Sequence, residues 1–210
     1  MPFKIIRNDI TKVKADVIVN TANPKPIYAS GTDMAIYQAA GTDELLAERE
    51  KIGCIERGDI AVTGAYALQA KYIIHTVGPI WVDGNHNEFQ ILESCYVKSL
   101  QKALELGCES IAFPLISTGV YGFPKDQALQ IAVSVFSRFL LENDMQIILV
   151  VFDKKSFQIC MSKNIQMKEI CILCMVLEYR MVRKKRKDEV GISVLIILTK
   201  EYVAKKYVDA

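Results

Sequence analysis

Six short apolar runs, separated by turns and by segments of helical periodicity, constrain this chain more than any other feature. They are Phe3–Ile6, Asp16–Asn20, Ile60–Tyr66, Lys71–Val77, Ile111–Ile116 and Met145–Phe152. Runs this short, rich in β-branched residues and bounded by turn formers, read as strands. Met34–Ala40, Asp43–Ile52, Glu88–Leu106 and a stretch from Pro124 to about Glu142 carry apolar residues at helical spacing. Thr42 is expected to cap the second helix, Gly53 and Gly107 to stop helices, and Pro124 to open one. Near-continuous apolar strands alternating with helices predict an α/β domain whose largely parallel sheet is covered on both faces. Such sheets bind ligands beyond the carboxyl ends of their strands. The loops after Asn20, Ile116 and Phe152 are therefore the places to look for chemistry.

Charge divides the chain. Residues 1–160 hold 15 basic and 18 acidic side chains, whereas residues 161–210 hold 11 and 6, so a net of −3 is followed by a net of +5. We treat 1–160 as one domain and 161–210 as a basic C-terminal extension. With 51% hydrophobic and 24% charged residues, the 210-residue chain has a globular composition, which excludes disorder and fibrous repeats. The overall net charge of +2 gives no global nucleic-acid footprint. The run Arg183–Lys187 is the one place where nucleic acid or acidic lipid could be met, although a solvated helix face is the commoner explanation of such a run. The apolar runs Ile170–Leu177 and Ile192–Leu198 fall short of the roughly 20 residues that span a bilayer, so no membrane association is expected. With no leader-like segment before Phe3 and six scattered cysteines, a cytoplasmic protein with reduced thiols is expected. Cys171 and Cys174 form a Cys-x-x-Cys without a second pair, and read as buried thiols on a helix face.

The first loop, residues 20–33, places Asn20 and Asn23 three apart and Gly31 and Asp33 before a helix. Carboxamides and a helix N-terminus could bind hydroxyls and an anion. Alternatively, the asparagines satisfy the loop backbone and Asp33 caps the helix. The second loop, Ser117-Thr118-Gly119-Val120-Tyr121-Gly122-Phe123, joins a buried strand to a Pro-initiated helix. Two glycines three apart let backbone N–H groups turn inward, as a diphosphate requires. The loop has no lysine and no Gly-Lys-Ser/Thr, so it is not an NTPase P-loop. Phe152, at the end of the last strand, could stack on a nucleobase or belong to the core rim. His75, inside a strand pattern, reads as a structural histidine.

Taken together, these loops resemble the macrodomain family, which binds ADP-ribose. The match runs through Asn8–Thr11, Asp16–Asn23, Thr32–Tyr37, Ala40-Gly41, Lys71–Pro79 and Ile111–Pro124, over about residues 3–160. The resemblance implies a three-layer α/β/α domain with a mixed, mostly parallel central sheet. It implies that Asp9 accepts from the adenine amino group and that Ile10 donates its N–H to the ring. Phe152 would pack on the adenosine side, and Ser117, Thr118, Gly119, Val120, Tyr121, Gly122 and Phe123 would wrap the diphosphate. Asn23 would hold the distal ribose and Asp33 would serve catalysis, at the spacing found in the hydrolytic branch.

Two departures stand out. Tyr28-Ala29-Ser30-Gly31 occupies the place of a glycine run, leaving only Gly31 in the first phosphate loop, and Tyr37 replaces a common histidine. The zinc-dependent branch has Cys and His ligands in the first loop, and residues 24–32 contain neither, so no metal and no cofactor are expected. The implied function is binding of ADP-ribose or an ADP-ribosylated protein, with hydrolysis of ester-linked mono-ADP-ribose or O-acetyl-ADP-ribose. The alternative is a non-catalytic reader of ADP-ribose or a related nucleotide.

Overall fold

A computed structural model describes residues 2–161. Cys171, Cys174, the run Arg183–Lys187 and the two apolar runs Ile170–Leu177 and Ile192–Leu198 lie outside the described residues. Six strands form one sheet: β1 (Phe3–Arg7), β2 (Val17–Thr21), β3 (Ile60–Gly64), β4 (Tyr72–Thr76), β5 (Ser110–Pro114) and β6 (Gln146–Val151), in the order β1-β6-β5-β2-β4-β3. All neighbours are parallel except β3, which runs antiparallel to β4 at the edge. The helices are α1 (Thr32–Ala40), α2 (Thr42–Ile52), α3 (Glu88–Glu105), α4 (Lys125–Glu142) and α5 (Lys154–Met161), and a single 3-10 turn spans Ile10–Lys12.

Alternating side chains along each strand supply two cores, because successive residues point to opposite faces. Val17, Val19, Ile74, Ile111, Phe113, Ile147 and Leu149 pack with α3 and α4. Ile18, Ile73, Ala112, Ile148 and Val150 pack with the 3-10 turn, α1 and α2. The result is the three-layer α/β/α arrangement expected. It explains why the central strands lack polar alternation. The parallel strands end side by side, with Arg7 opposite Val151 and Thr21 opposite Thr76, so their loops converge on one edge.

Several local readings are corrected. Thr42 does not cap α2. Gly41 is the N-cap at φ 113, and Thr42 is the first helical residue. A single glycine separates α1 from α2, and only its positive φ lets the chain turn so abruptly. Pro124 is the N-cap of α4, not its first residue, because its ψ of 125 is extended. The strand expected to reach Ile116 stops at Pro114. The Ile116 N–H leaves the ladder and donates to the Tyr96 hydroxyl instead. Helix α5 was not anticipated. Asp153 starts it by accepting the Ser156 N–H at 2.8 Å, a side-chain cap.

Candidate functional site

The convergent loops enclose a cleft of about 580 Å³ over the strand ends. Asp9, Ile10 and Phe152 line one end, Asn23, Gly31 and Asp33 another part, and residues 117–121 the wall between β5 and α4. Gly122 and Phe123 are not in the lining. Gly122, at φ 71, donates its N–H to the Gly119 carbonyl and closes the turn. Phe123 is buried against Trp81 and Phe89, so it anchors the second loop from below.

The two loops are held differently. In the first, Asn20 ends the buried part of β2 and its Nδ2 donates to Asp33 Oδ1 at 2.6 Å. The other Asp33 oxygen, Oδ2, accepts the Ala29 N–H at 2.8 Å. Asn20 Nδ2 also lies 3.1 Å from His75 Nδ1, and His75 Nε2 lies 2.9 Å from Thr63 Oγ1. Burial, and then the Arg49 guanidinium, bring His75 to a pKa of about 3, so the ring is neutral near pH 7. Burial pushes the Asp33 carboxyl up, and donation from Asn20 and Ala29 together with the nearby Arg49 only partly offsets this. Asn23 Oδ1 accepts the Lys25 N–H at 3.2 Å, an Asx turn. The two residues marked as departures touch each other: the Tyr28 ring lies 5.1 Å from the buried Tyr37 ring. They form one packing unit.

In the second loop the N–H groups of residues 117 and 119–121 have no partner among the described residues, while the Thr118 N–H turns back on the Leu115 carbonyl. A row of free N–H groups beside the start of an 18-residue helix is an anion-binding arrangement. Thr118 Oγ1 donates to the Leu115 carbonyl at 2.8 Å, and Ser117 stands at φ 64. A Cβ on Gly78 would collide with the buried Ser117 hydroxyl, so glycine there permits the loop's close approach. Arg57 stacks over the Tyr121 ring and donates to the Gly78 carbonyl, bracing the outer wall.

At the other end, Asp9 Oδ1 accepts from the Thr11 N–H and hydroxyl and caps the 3-10 turn. Phe152 is 77% exposed, so its ring is open to stacking. Sequence reasoning missed three neighbours. Lys125 Nζ donates to Ser156 Oγ and lies 3.5 Å from Asp153 Oδ2, and all three residues line the cleft. The Asp-x-x-Ser cap pattern was the available signal for Asp153 and Ser156. His75 is satisfied at both ring nitrogens, as expected of a structural histidine, but its position one bond removed from Asp33 was not foreseen.

Among the described residues one cluster has metal-ligating composition, Asp83, His86 and Glu88, and it lies outside the cleft. Glu88 already accepts the N–H groups of Val82, Asp83, Gly84 and His86. Burial opposes its ionisation, but these donors prevail and hold it at about 2. The group organises the loop before α3. No helix of the described residues is long and apolar enough to cross a membrane.

The Macro domain family model matches residues 19–132. An O-acetyl-ADP-ribose deacetylase of Citrobacter rodentium is 45% identical over 157 residues, covering 72% of this chain and 89% of its own length. The Oceanobacillus iheyensis macrodomain with ADP aligns with a TM-score of 0.73 at 36% identity, over 77% of this chain and 89% of that one. The Trypanosoma brucei macrodomain in complex with ADP-ribose aligns with a TM-score of 0.70 at 33% identity, over 77% and 69%.

Proposed function

Because the chain belongs to the Macro domain family, we propose that its cleft binds ADP-ribose and hydrolyses ADP-ribose conjugates, either mono-ADP-ribose on an acidic side chain or O-acetyl-ADP-ribose. The observation that carries this reading is the pairing of two unlike walls: free N–H groups at residues 117 and 119–121, and Asn23 with the buried carboxylate of Asp33. The second loop takes the diphosphate. Asp9 and the Ile10 N–H take the adenine edge, and Phe152 stacks beside it. Asn23 holds the distal ribose. A water attacks the acyl or anomeric carbon and Asp33 accepts its proton, with help from the substrate's phosphate. In the first case the acyl–oxygen bond breaks and the ribose oxygen leaves, taking up that proton; in the second the anomeric carbon–oxygen bond breaks and the carboxylate leaves. The relatives' names support the ligand class: one is an O-acetyl-ADP-ribose deacetylase, and one solved structure holds ADP-ribose.

A second reading, a non-catalytic reader of ADP-ribose, is favoured by one observation. Both Asp33 oxygens already accept hydrogen bonds and the residue is only 3% exposed. Calorimetry with ADP-ribose and AMP, beside product release from O-acetyl-ADP-ribose and from an ester-linked ADP-ribosylated protein, separates the readings. The hydrolase binds ADP-ribose far better than AMP and turns over at least one of the two conjugates, with or without a chelator. Equal affinity for AMP sinks the diphosphate assignment, and tight binding without turnover selects the reader.

A further inference from the structure

We propose that Asn20 and His75 are positioning residues for Asp33, acting through a one-directional hydrogen-bond chain that runs from β3 to the cleft. The proposal deepens the reading of Asp33 as the carboxylate that handles the reacting water. Register places Asn20 and His75 side by side on β2 and β4. The Asn20 amide has two hydrogens, and its two neighbours are Asp33 Oδ1 at 2.6 Å and His75 Nδ1 at 3.1 Å. Both must accept. Nδ1 is then unprotonated, and the proton of the neutral ring sits on Nε2, where it donates to Thr63 Oγ1. The Thr63 hydroxyl passes its own hydrogen to the Gly64 carbonyl at 3.1 Å.

Every donor in this chain has one direction. Turning the Asn20 amide over would set oxygen against the Asp33 carboxylate. A protonated His75 would set a donor against the amide hydrogens. The neutral ring therefore holds the amide, and the amide holds Asp33 Oδ1, while the Ala29 N–H holds Oδ2. The Asn20 carbonyl oxygen, by contrast, is buried without a partner among the described residues. Leaving a buried acceptor unsatisfied is unfavourable, so the aim of the two hydrogens is what this site retains, not full satisfaction of the amide.

The charged and titratable groups around Asp33 are few. Arg49 of α2 and Tyr37 of α1 are buried with it, and His75 comes from β4. Asp9 caps the 3-10 turn packed on α1 and Lys12 is the last residue of that turn, where Asp9 is engaged with Thr11. Removing a donor from the carboxylate raises its pKa, a change that a purely structural role for Asn20 would not make.

The test combines carbon-13 NMR titration of the Asp33 carboxyl, long-range nitrogen-15 NMR of His75, and kcat against pH, in wild type, Asn20→Leu, His75→Asn and His75→Leu. Melting curves and ADP-ribose calorimetry establish that each variant is folded. His75 should read as a neutral Nε2–H ring from pH 5 to 8. Asn20→Leu should raise the Asp33 midpoint and move the acid limb of kcat upward equally. It should also lower kcat about 10- to 100-fold, a part of what positioned proton transfer supplies, with KM within about threefold. His75→Asn keeps an acceptor toward Asn20 and should retain the wild-type midpoint, whereas His75→Leu should follow Asn20→Leu. If Asn20→Leu does not fold, the two His75 variants carry the comparison. An unchanged Asp33 midpoint in His75→Leu, identical behaviour of Asn and Leu at position 75, or a proton on Nδ1 overturns the proposal. Absence of wild-type turnover would instead overturn the hydrolase reading, and the NMR midpoints would still decide this one.

Discussion

The two loops that face each other across the cleft are built on opposite principles. The first is wired by side chains: Asp33 ties it to Asn20, and Asn20 ties it to the buried polar chain through His75 and Thr63. The second is held by its backbone and by an aromatic floor. Its turn closes through Gly122 to Gly119 and Phe123 to Ser117, and Phe123 packs on Trp81 and Phe89. The difference divides the work. A loop that keeps its N–H groups free can wrap an anion whatever its side chains. A loop whose carboxylate is locked by partners can set the geometry of a reacting group. Binding should therefore be broken most easily at the second loop, and turnover at the first.

The largest expected effect is on binding. Gly119 lines the cleft, and a Cβ there would meet nothing within 4 Å. Gly119→Glu should fold normally yet place a carboxylate among the free N–H groups, abolishing ADP-ribose binding in calorimetry at an unchanged melting temperature. Retained binding would move the diphosphate away from this loop. The mirror experiment is Asp33→Ala, which should lower turnover by about 10²- to 10⁴-fold, the range of general-base assistance. Its affinity loss should be far smaller, confined to the loosened Ala29 N–H. Comparable losses of affinity in the two variants would erase the division of labour between the loops.

A third expectation uses pH. Only the first loop hangs on a titrating anchor. The folded pKa of His75, about 3, lies below its ordinary 6.5. Between those values the unfolded chain binds a proton that the folded one does not. Stability is therefore fully present above about pH 6.5 and is lost as pH falls, by about 1.4 kcal/mol per pH unit from this residue. Glu88 and Asp153, both held near 2, add their own loss only below their ordinary 4.5 and 3.8. Asp33, whose carboxyl is raised, works in the opposite sense above 3.8. Denaturant unfolding of wild type and His75→Gln side by side at pH 6.5, 5.5 and 4.5 separates the histidine from the opposing Asp33, and His75→Gln should flatten the slope. An equally steep slope in that variant would assign it elsewhere.

How much of this was legible follows from range along the chain. Strand positions and the second loop could be read because their evidence is local: β-branched runs, Gly-x-x-Gly, and a proline before a helix. The Asn20–His75 contact spans 55 residues and exists only because β2 and β4 are neighbours in register. The same holds for Tyr28 against Tyr37. As two deviations in a sequence they look independent, yet in space they are one contact. Phe123 was grouped with the ligand loop because sequence proximity cannot tell a lining residue from the core residue beneath it. Helix α5 has a local cap, Asp153 to Ser156, but at eight residues it is too short to show a helical apolar period in the sequence.

The smallest expected effect refines the account of the second loop. Its N–H groups supply partial charges, whereas a diphosphate brings two full negative ones. Among the charged side chains of the described residues that line the cleft, Asp9, Asp33 and Asp153 are acidic and Lys125 is the one cation. Lys125 is the first residue of α4, and its ammonium is shared with Ser156 and Asp153. That pairing lowers its value to the ligand, and its side chain is 33% exposed, so water and salt screen what is left. Lys125→Met should therefore weaken ADP-ribose by only about 0.5–1 kcal/mol, the scale of an exposed ion pair. The sharper readout is the salt dependence of affinity. Lys125→Met should be less sensitive than wild type between low and high salt, and Lys125→Arg should restore the sensitivity. Tyr28→Gly, altering the first loop alone, should leave it unchanged. If Lys125→Met and wild type respond identically to salt, diphosphate recognition is carried by backbone N–H groups and the α4 terminus without a side-chain cation. The contrast between a side-chain-wired loop and a backbone-built one would then be complete.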